Sequence, residues 1–524
     1  MRGSTLSTRT AIKKNTYIDS VSLMSISTKA AALDGVTNAV AAMATPMNKE
    51  ILGNQGLLTP EIEAATPGDL VLIVVTTTEE QAEPAMAGLE ELLVRKPATG
   101  SETEATYRTI AGAVQGRPDA NVAVISVNGA FATREARQAL ENGLHVMLFS
   151  DNVPVEDEVS LKQRAHELGL LMMGPDCGTA IVNGVSLCFA NKVRQGSIGI
   201  VGASGTGSQE MSVRIHDFTG GISQLLGTGG RDLSAEVGGI MMLDAIDALE
   251  ADPATTVLVV VSKPPAREVA DRVLDRLAAS PKPAVVCFLG ASDDLIDAGA
   301  AKGVQVFNRT KPAALAAVVA AGVDESTLDL HSLNWPLIEE VRAKLTLQQR
   351  YIRGLFCGGT LCDEAMFLAL EKYDDVYSNL RKDAEHKLTG TDPSKAHTFL
   401  DFGEDEFTNG KPHPMIDPSN RIERFLAEAA DPEVGVIVMD FVLGYGAHPD
   451  PVGVMLPVIR KAKADAAAAG RHLEILAYVL GTQEDSQNFD EQVAKLTEAD
   501  VTWASSSTNT GLLAREFVWK GDVA

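Results

Sequence analysis

The stretch "GSIGIVGASGTGSQEMSVRIHDF", residues 196–218, begins as an apolar run, breaks into glycines and hydroxyl residues, and resumes with helical spacing. Its first part, "SIGIVGA" (197–203), predicts a buried strand; "SQEMSVRIHDF" (208–218) predicts a helix capped by Ser208 or Thr206. A strand feeding through glycines into a helix is the βα unit of a parallel sheet. Successive glycines let backbone N–H groups converge, and a helix N-terminus adds partial positive charge. Ser204, Gly205, Thr206 and Gly207 are therefore a candidate anion seat. The spacing, G-x-x-G-x-G, is neither the dinucleotide fingerprint nor a P-loop, so a βα turn without a ligand is the alternative.

The same alternation extends in both directions. Apolar runs at 69–75, 121–127, 145–150, 255–262, 283–290, 434–444 and 473–481 are separated by amphipathic stretches, as in parallel sheets buried on both faces. Three α/β layers are expected, over residues 13–195, 196–322 and 346–524, with 323–345 as a connector that lacks the strand pattern. A second glycine loop, "LLGTGGRDLSAEVGG" (225–239), follows the next apolar run and brings Gly229, Gly230 and Arg231. Both loops would lie at the carboxyl edge of their sheet, where ligands bind in such folds.

Composition narrows the function classes. A chain of 524 residues is long enough for about three domains. Lys and Arg number 45 against 70 Asp and Glu, a formal charge of −25 that argues against a nucleic-acid partner. Five cysteines without paired spacing support neither a disulfide framework nor a metal site, and a reducing cytoplasm is expected. The N-terminal segment leads into no apolar signal core, and no run reaches the roughly 18 apolar residues of a membrane span.

The order "LLMMGPDCGTAIVNG" (170–184), "GSIGIVGASGTGSQE", "GTGGRDL" and "DALEADPATTVLVVVS" (247–262) resembles the landmarks of the succinyl-CoA synthetase α subunit. Residues 120–157 look like the second half of that subunit's CoA-binding domain. "HTFLDFGEDEF" (397–407), "DPEVGVIVMDFVLGYGAHPDP" (431–451) and "LEILAYVLGTQED" are similar to the last domain of the β subunit. With "NTYIDSVSLMSIS" near the start and "NGKPHPMIDP" (409–418), nearly the whole chain resembles the FdrA-type acyl-CoA synthetase family. The resemblance implies a Rossmann-like CoA-binding-type domain followed by two flavodoxin-like domains, with CoA as a cofactor and CoA or substrate contacts at Asn128, Gly129, Gly174 and Asp176.

The departures from the synthetase matter as much. The loop expected to carry its phosphohistidine, "IDAGAAKG" (296–303), has no histidine, and the segment of its orienting glutamate reads "VSKPPA" (261–266). No room remains for an ATP-grasp domain, so ATP is not expected on this chain alone. The first glycine loop is replaced by "YIDSVSLMSIS" (17–27), and Asp176 stands where the synthetase has asparagine.

Chemistry could still be carried by Lys263, as a cation holding phosphate or as a solvated lysine before two prolines. His413 and Lys411, in a loop stiffened by prolines, and His448 are candidates for general acid–base work or incidental side chains. Arg231 would grip a phosphate bidentately. Cys177 is expected to be a packed residue, and "SSSTNTG" (505–511) a helix cap.

Two activities follow. The first is transfer of an acyl or carbamoyl group to or from phosphate; the resemblance implies oxamate carbamoyltransferase subunits of purine or allantoin breakdown, with phosphate or an acyl or carbamoyl phosphate as substrate. The second is an acyl-CoA ligase subunit drawing ATP chemistry from a partner chain. A non-catalytic CoA-binding or assembly protein is the third. Partner subunits, homo- or hetero-oligomeric, are expected in each case.

Overall fold

The computed structural model describes residues 7–94, except 15, 17, 19, 32, 34, 46, 47, 50, 51, 54 and 55, together with 106–408 and 412–521. Two compact units divide at Thr106 and Tyr107.

In the first unit, strand Leu70–Thr76 lies between Ser7–Lys13 and Val36–Met43, antiparallel to both. Every residue of the central strand is buried. One face packs with Leu23, Ala39, Ala41, Met86 and Leu89 against helices Ser20–Ala31 and Glu79–Val94. The other packs Val71, Ile73 and Val75 against Leu52, Ile62 and Ala65. The expectation of one parallel layer over 13–195 is therefore corrected: its first part is a separate antiparallel unit. The run "DLVLIVV" misled because a central strand covered on both faces is continuously apolar whichever way its neighbours run.

The second unit contains the expected parallel layers. Val122–Ile125, His145–Leu148 and Met172–Met173 form a three-stranded parallel sheet. Strands Gln305–Phe307, Ala284–Phe288, Val257–Ser262, Gln195–Ala203 and Ile222–Gly227 lie side by side in parallel, and the hairpin Thr179–Val182 and Val185–Cys188 closes one edge antiparallel. A third sheet, Val376–Ser378, His397–Asp401, Tyr351–Phe356, Val434–Val442, Glu474–Leu480 and Thr502–Ala504, is parallel throughout. Residues 323–345 hold a short 3-10 turn and helix Trp335–Lys344 and no strand.

Among the described residues no helix is long and apolar enough to cross a membrane.

Candidate functional site

Strand Gln195–Ala203 ends at Ser204, whose Oγ accepts a 3.1 Å hydrogen bond from Gly207 N and so caps helix Gly205–Asp217. Ser204, and not Thr206 or Ser208, is the cap. The third sheet presents a matching unit: strand Tyr351–Phe356, the turn Cys357–Gly358, then helix Gly359–Leu370. The two helices meet with their N-termini opposed. Thr360 N donates to Thr206 Oγ1 at 3.3 Å, and the Ser204 and Thr360 hydroxyls share a hydrogen bond. This approach requires glycine: a Cβ on Gly207 would stand 2.9 Å from Thr360 Cγ2, and one on Gly358 3.0 Å from Thr206 Cγ2. Much of the expected anion seat is thus occupied by the facing helix. Gly205 is its open end, where an added Cβ would meet only Thr179 Oγ1, at 3.9 Å.

The second glycine loop lies on the same carboxyl edge, with Gly227 paired to Gly202 and Thr228 N donating to Gly202 O. Gly229 has φ +88° and packs on Pro175 O; Gly230 faces Asp176 Oδ2 at 3.7 Å, measured from an added Cβ. Arg231 is engaged within the fold through its Nε and Nη2. Its Nε and Nη2 bind Glu158 Oε2 at 3.0 and 2.9 Å, and Nη2 also reaches Val153 O at 2.8 Å. Glu158 in turn is bonded to Lys162, which holds Asp232. The Nε–Nη2 edge of the guanidinium therefore ties the loop to helix Val155–Leu168. Arg231→Ala should leave phosphate affinity unchanged in calorimetry and cost about 0–1 kcal/mol of stability, as for other half-exposed ion pairs.

Lys263 follows Val257–Ser262, next to Ala203 in the sheet. Its Nζ stands 3.6 Å from Glu404 Oε1 and 4.0 Å from Asp363 Oδ2, and it donates no hydrogen bond to any described residue. Burial works against the ammonium, but Asp363, Asp401, Glu404 and Asp176 outweigh that and hold its pKa above the ordinary lysine value. Asp401, 3% exposed, ends strand His397–Asp401 between two glycines. An added Cβ on Gly359 would lie 2.3 Å from Asp401 Oδ2 and 2.9 Å from Lys263 Nζ. One on Gly403 would lie 2.9 Å from His413 Nε2, 3.1 Å from Asp401 Oδ1 and 3.3 Å from Cys357 O. Absent side chains at these two glycines thus let Lys263 approach one oxygen of Asp401, and His413 and the Cys357 carbonyl approach the other.

Oδ1 of Asp401 accepts from Gly403 N at 2.8 Å. Burial pushes the Asp401 carboxyl up, Lys263 pulls it down, and the neighbouring Glu404 and Asp363 raise it further. Burial likewise lifts Asp363 to about 6 and Asp176 to about 7, against the pull of Lys263. His413 Nδ1 accepts from Met415 N at 3.2 Å, which places the ring proton on Nε2. Burial lowers His413 to about 4, so its neutral ring offers an Nε2–H donor at pH 7.

Sequence reasoning found Lys263 and His413 but missed Asp363, Asp401 and Glu404. The overlooked signal was "FCGGTLCDE" (356–364), a second strand–glycine–helix unit mirroring "GASGTGSQE" (202–210). The backbone N–H of His448 bonds Met415 O, its Nδ1 accepts from Asp450 N at 3.0 Å, and it lines a small cavity with Cys357, Pro414 and Arg421. Asn128 caps helix Gly129–Glu141, Gly129 packs on Asp151 O, and Gly174 packs on Leu148 O. Lys411 lies outside the described residues. Cys177, its thiol pushed to about 12 by burial, is a packed residue, and Ser506 of "SSSTNTG" caps helix Ser507–Phe517.

Models of known families match residues 6–109 (AllF, heavy metal-associated domain), 193–290 (CoA binding domain) and 355–517 (CoA-ligase). YahF of Escherichia coli is 61% identical over 519 residues, covering 99% of this chain and 100% of its own. The α subunit of the ADP-forming succinate–CoA ligase of Methanothermobacter thermautotrophicus is 26% identical over 148 residues, 28% of this chain. The match spans about half of that relative, 49% of its length. Among solved structures, an acetyl-coenzyme A synthetase of Ca. Korarchaeum cryptofilum covers 81% of this chain and 88% of its own at 16% identity and a TM-score of 0.33, a distant likeness.

Proposed function

Since the chain belongs to the FdrA-type family of acyl-CoA synthetase-like proteins that includes YahF, we propose that it is an enzyme subunit moving an acyl or carbamoyl group to or from phosphate, with no phosphohistidine. One observation carries this reading. Two donors flank the Asp401 carboxyl: the Lys263 ammonium, ion-paired with Glu404 and Asp363 but donating no hydrogen bond to a described residue, on one oxygen, and His413 Nε2–H, beside the Cys357 carbonyl, on the other. A carbamoyl group presents the complement, one carbonyl oxygen and an NH₂. Lys263 or His413 would polarise the carbonyl; Asp401 would take the proton of the attacking phosphate oxygen as the carbon–oxygen bond forms and return it to the leaving atom as that atom's bond to the carbonyl carbon breaks. Phosphate would lie toward the open N-terminal turn at Gly205, with Lys263 as its counter-charge.

The acidic lining sets a pH dependence. Asp363 near 6 and Asp176 near 7 are protonated below those values, so the cleft is least repulsive to anions there. Lys263 stays charged throughout. Binding of sulfate, whose charge is constant over this range, should weaken by about tenfold or more from pH 5.5 to pH 8, a tenfold loss corresponding to about 1.4 kcal/mol. An affinity that rises with pH would refute the placement of the anion among these carboxyls.

A second reading, a CoA-ligase-type subunit that uses ATP with a partner chain, is favoured by the CoA-binding match at 193–290. Calorimetric titration with carbamoyl phosphate, phosphate, CoA and ATP separates the two. Carbamoyl phosphate or phosphate binding that is lost in Lys263→Ala, without CoA, supports the first. CoA binding with no phosphate or carbamoyl phosphate binding sinks it in favour of the second.

A further inference from the structure

The amino-terminal unit matches a domain family whose description carries heavy-metal association, over residues 6–109. Heavy, soft cations are held by thiolate and thioether sulfur and by imidazole nitrogen. Residues 1–106 contain neither cysteine nor histidine: the first histidine of the chain is His145 and the first cysteine Cys177. The remaining sulfur is thioether. Met43 and Met86, 8% and 5% exposed, belong to the core between the sheet and its helices. Met24 lies within helix Ser20–Ala31, and Met1 and Met47 fall outside the described residues.

Three carboxylates of the unit are committed as well. Asp69, 1% exposed, accepts from Lys14 Nζ, Thr66 N and Thr66 Oγ1 at 2.8, 2.8 and 3.0 Å. Glu83 pairs with Arg9 at 2.5 Å and Glu90 with Lys13 at 2.8 Å. Three of the cations along and just after strand Ser7–Lys13 thus already neutralise acids that a metal would need. Nor does folding need a metal here. Small domains that depend on one do so because their core is too small, whereas this sheet is covered by an apolar cluster on each face.

We infer that the amino-terminal unit has kept the fold of a heavy-metal-associated domain without its metal chemistry, and serves this chain as a metal-free module. Fold and ligand chemistry separate readily in this way, because the packing positions and the donor positions are different residues.

The test uses the reduced full-length protein and its Cys188→Ser variant, which removes the one cysteine that is not buried. Each is loaded with Cu(I) against bicinchoninate and with Zn(II) against a chromophoric chelator, desalted and assayed for metal. Both proteins should retain under about 0.1 equivalent, and chelator should shift the melting temperature by less than about 1 °C, since nothing bound to the native state is being withdrawn. Metal retained by the wild type and lost in Cys188→Ser belongs to the second unit and leaves the inference standing. Metal retained by both is assigned by X-ray absorption: thiolate or imidazole ligands again place it in residues 107–524, where all such residues lie. One equivalent with only thioether or oxygen ligands that protects amides of residues 1–106 in hydrogen exchange overturns the inference, while protection confined to residues 107–524 leaves it standing.

Discussion

Replacing Asp401 by asparagine is expected to lower group transfer by about 10²–10⁴-fold, the usual effect of removing a positioned general base. The amide keeps the size of the carboxyl but cannot accept a proton from the attacking group. The same change should stabilise the protein at alkaline pH. Burial, with Glu404 and Asp363 nearby, raises the folded-state pKa of Asp401 above its unfolded value. A carboxyl raised in this way gives its full contribution to stability only below the unfolded pKa of about 3.9, and the contribution disappears as pH rises through the folded value. At pH 8 the wild type bears the cost of a buried charge that asparagine does not have. Denaturant titrations of the two proteins at pH 5 and pH 8 should therefore show the variant gaining more at pH 8. A fully active variant would remove Asp401 from the reaction, and one less stable at pH 8 than at pH 5 relative to wild type would show that burial does not raise its carboxyl. The opposed trends are those of a functional residue held at a cost in stability.

The largest loss of stability is expected from Glu210→Ala, about 3–5 kcal/mol, because it leaves buried partners uncompensated. Glu210 is fully buried on helix Gly205–Asp217. It accepts from the Tyr478 hydroxyl and from Ser507 N at 3.1 Å, and Arg214 Nε lies 3.5 Å away. Arg214 itself reaches Ser505 O at 2.5 Å and Asp217 at 2.8 Å. These bonds join the second and third sheets around one carboxylate, so its removal exposes the hydroxyl, the backbone N–H and part of the guanidinium at once. Glu210→Gln keeps the acceptor oxygen and should cost markedly less, about 1–2 kcal/mol. Chemical unfolding of the two variants measures the difference; equal losses would mean that packing, and not the polar network, holds the sheets together.

Much of the architecture was legible because strand burial leaves a strong local mark. "TTVLVVVS" and "LEILAYVLG" contain strands Val257–Ser262 and Glu474–Leu480, and "SIGIVGA" ends where Gln195–Ala203 ends. A parallel strand covered by helices on both sides has no polar face, so its apolar run marks its position. The same run cannot reveal the direction of its neighbours, which is why Leu70–Thr76 was read into a parallel layer and is the centre of an antiparallel sheet.

The site was legible only in part. Lys263 and His413 stood out as a cation and an imidazole flanked by prolines. Arg231 was equally conspicuous, and its partner Glu158 lies 73 positions earlier, on a different layer, where no local pattern links the two. Asp401 resembled any acid at a strand end.

By itself, then, the sequence determined the order of strands and helices, the two glycine turns and the absence of cysteine and histidine from residues 1–106, since each depends on residue type and short-range spacing. Tertiary structure alone decided what those turns face. Two helix N-termini meet head to head because Gly207 and Gly358 carry no side chains, and Gly359 and Gly403 let Lys263 and His413 approach opposite oxygens of Asp401. Such convergence depends on ångström-scale clearances between elements distant in the chain, a quantity that residue spacing does not encode.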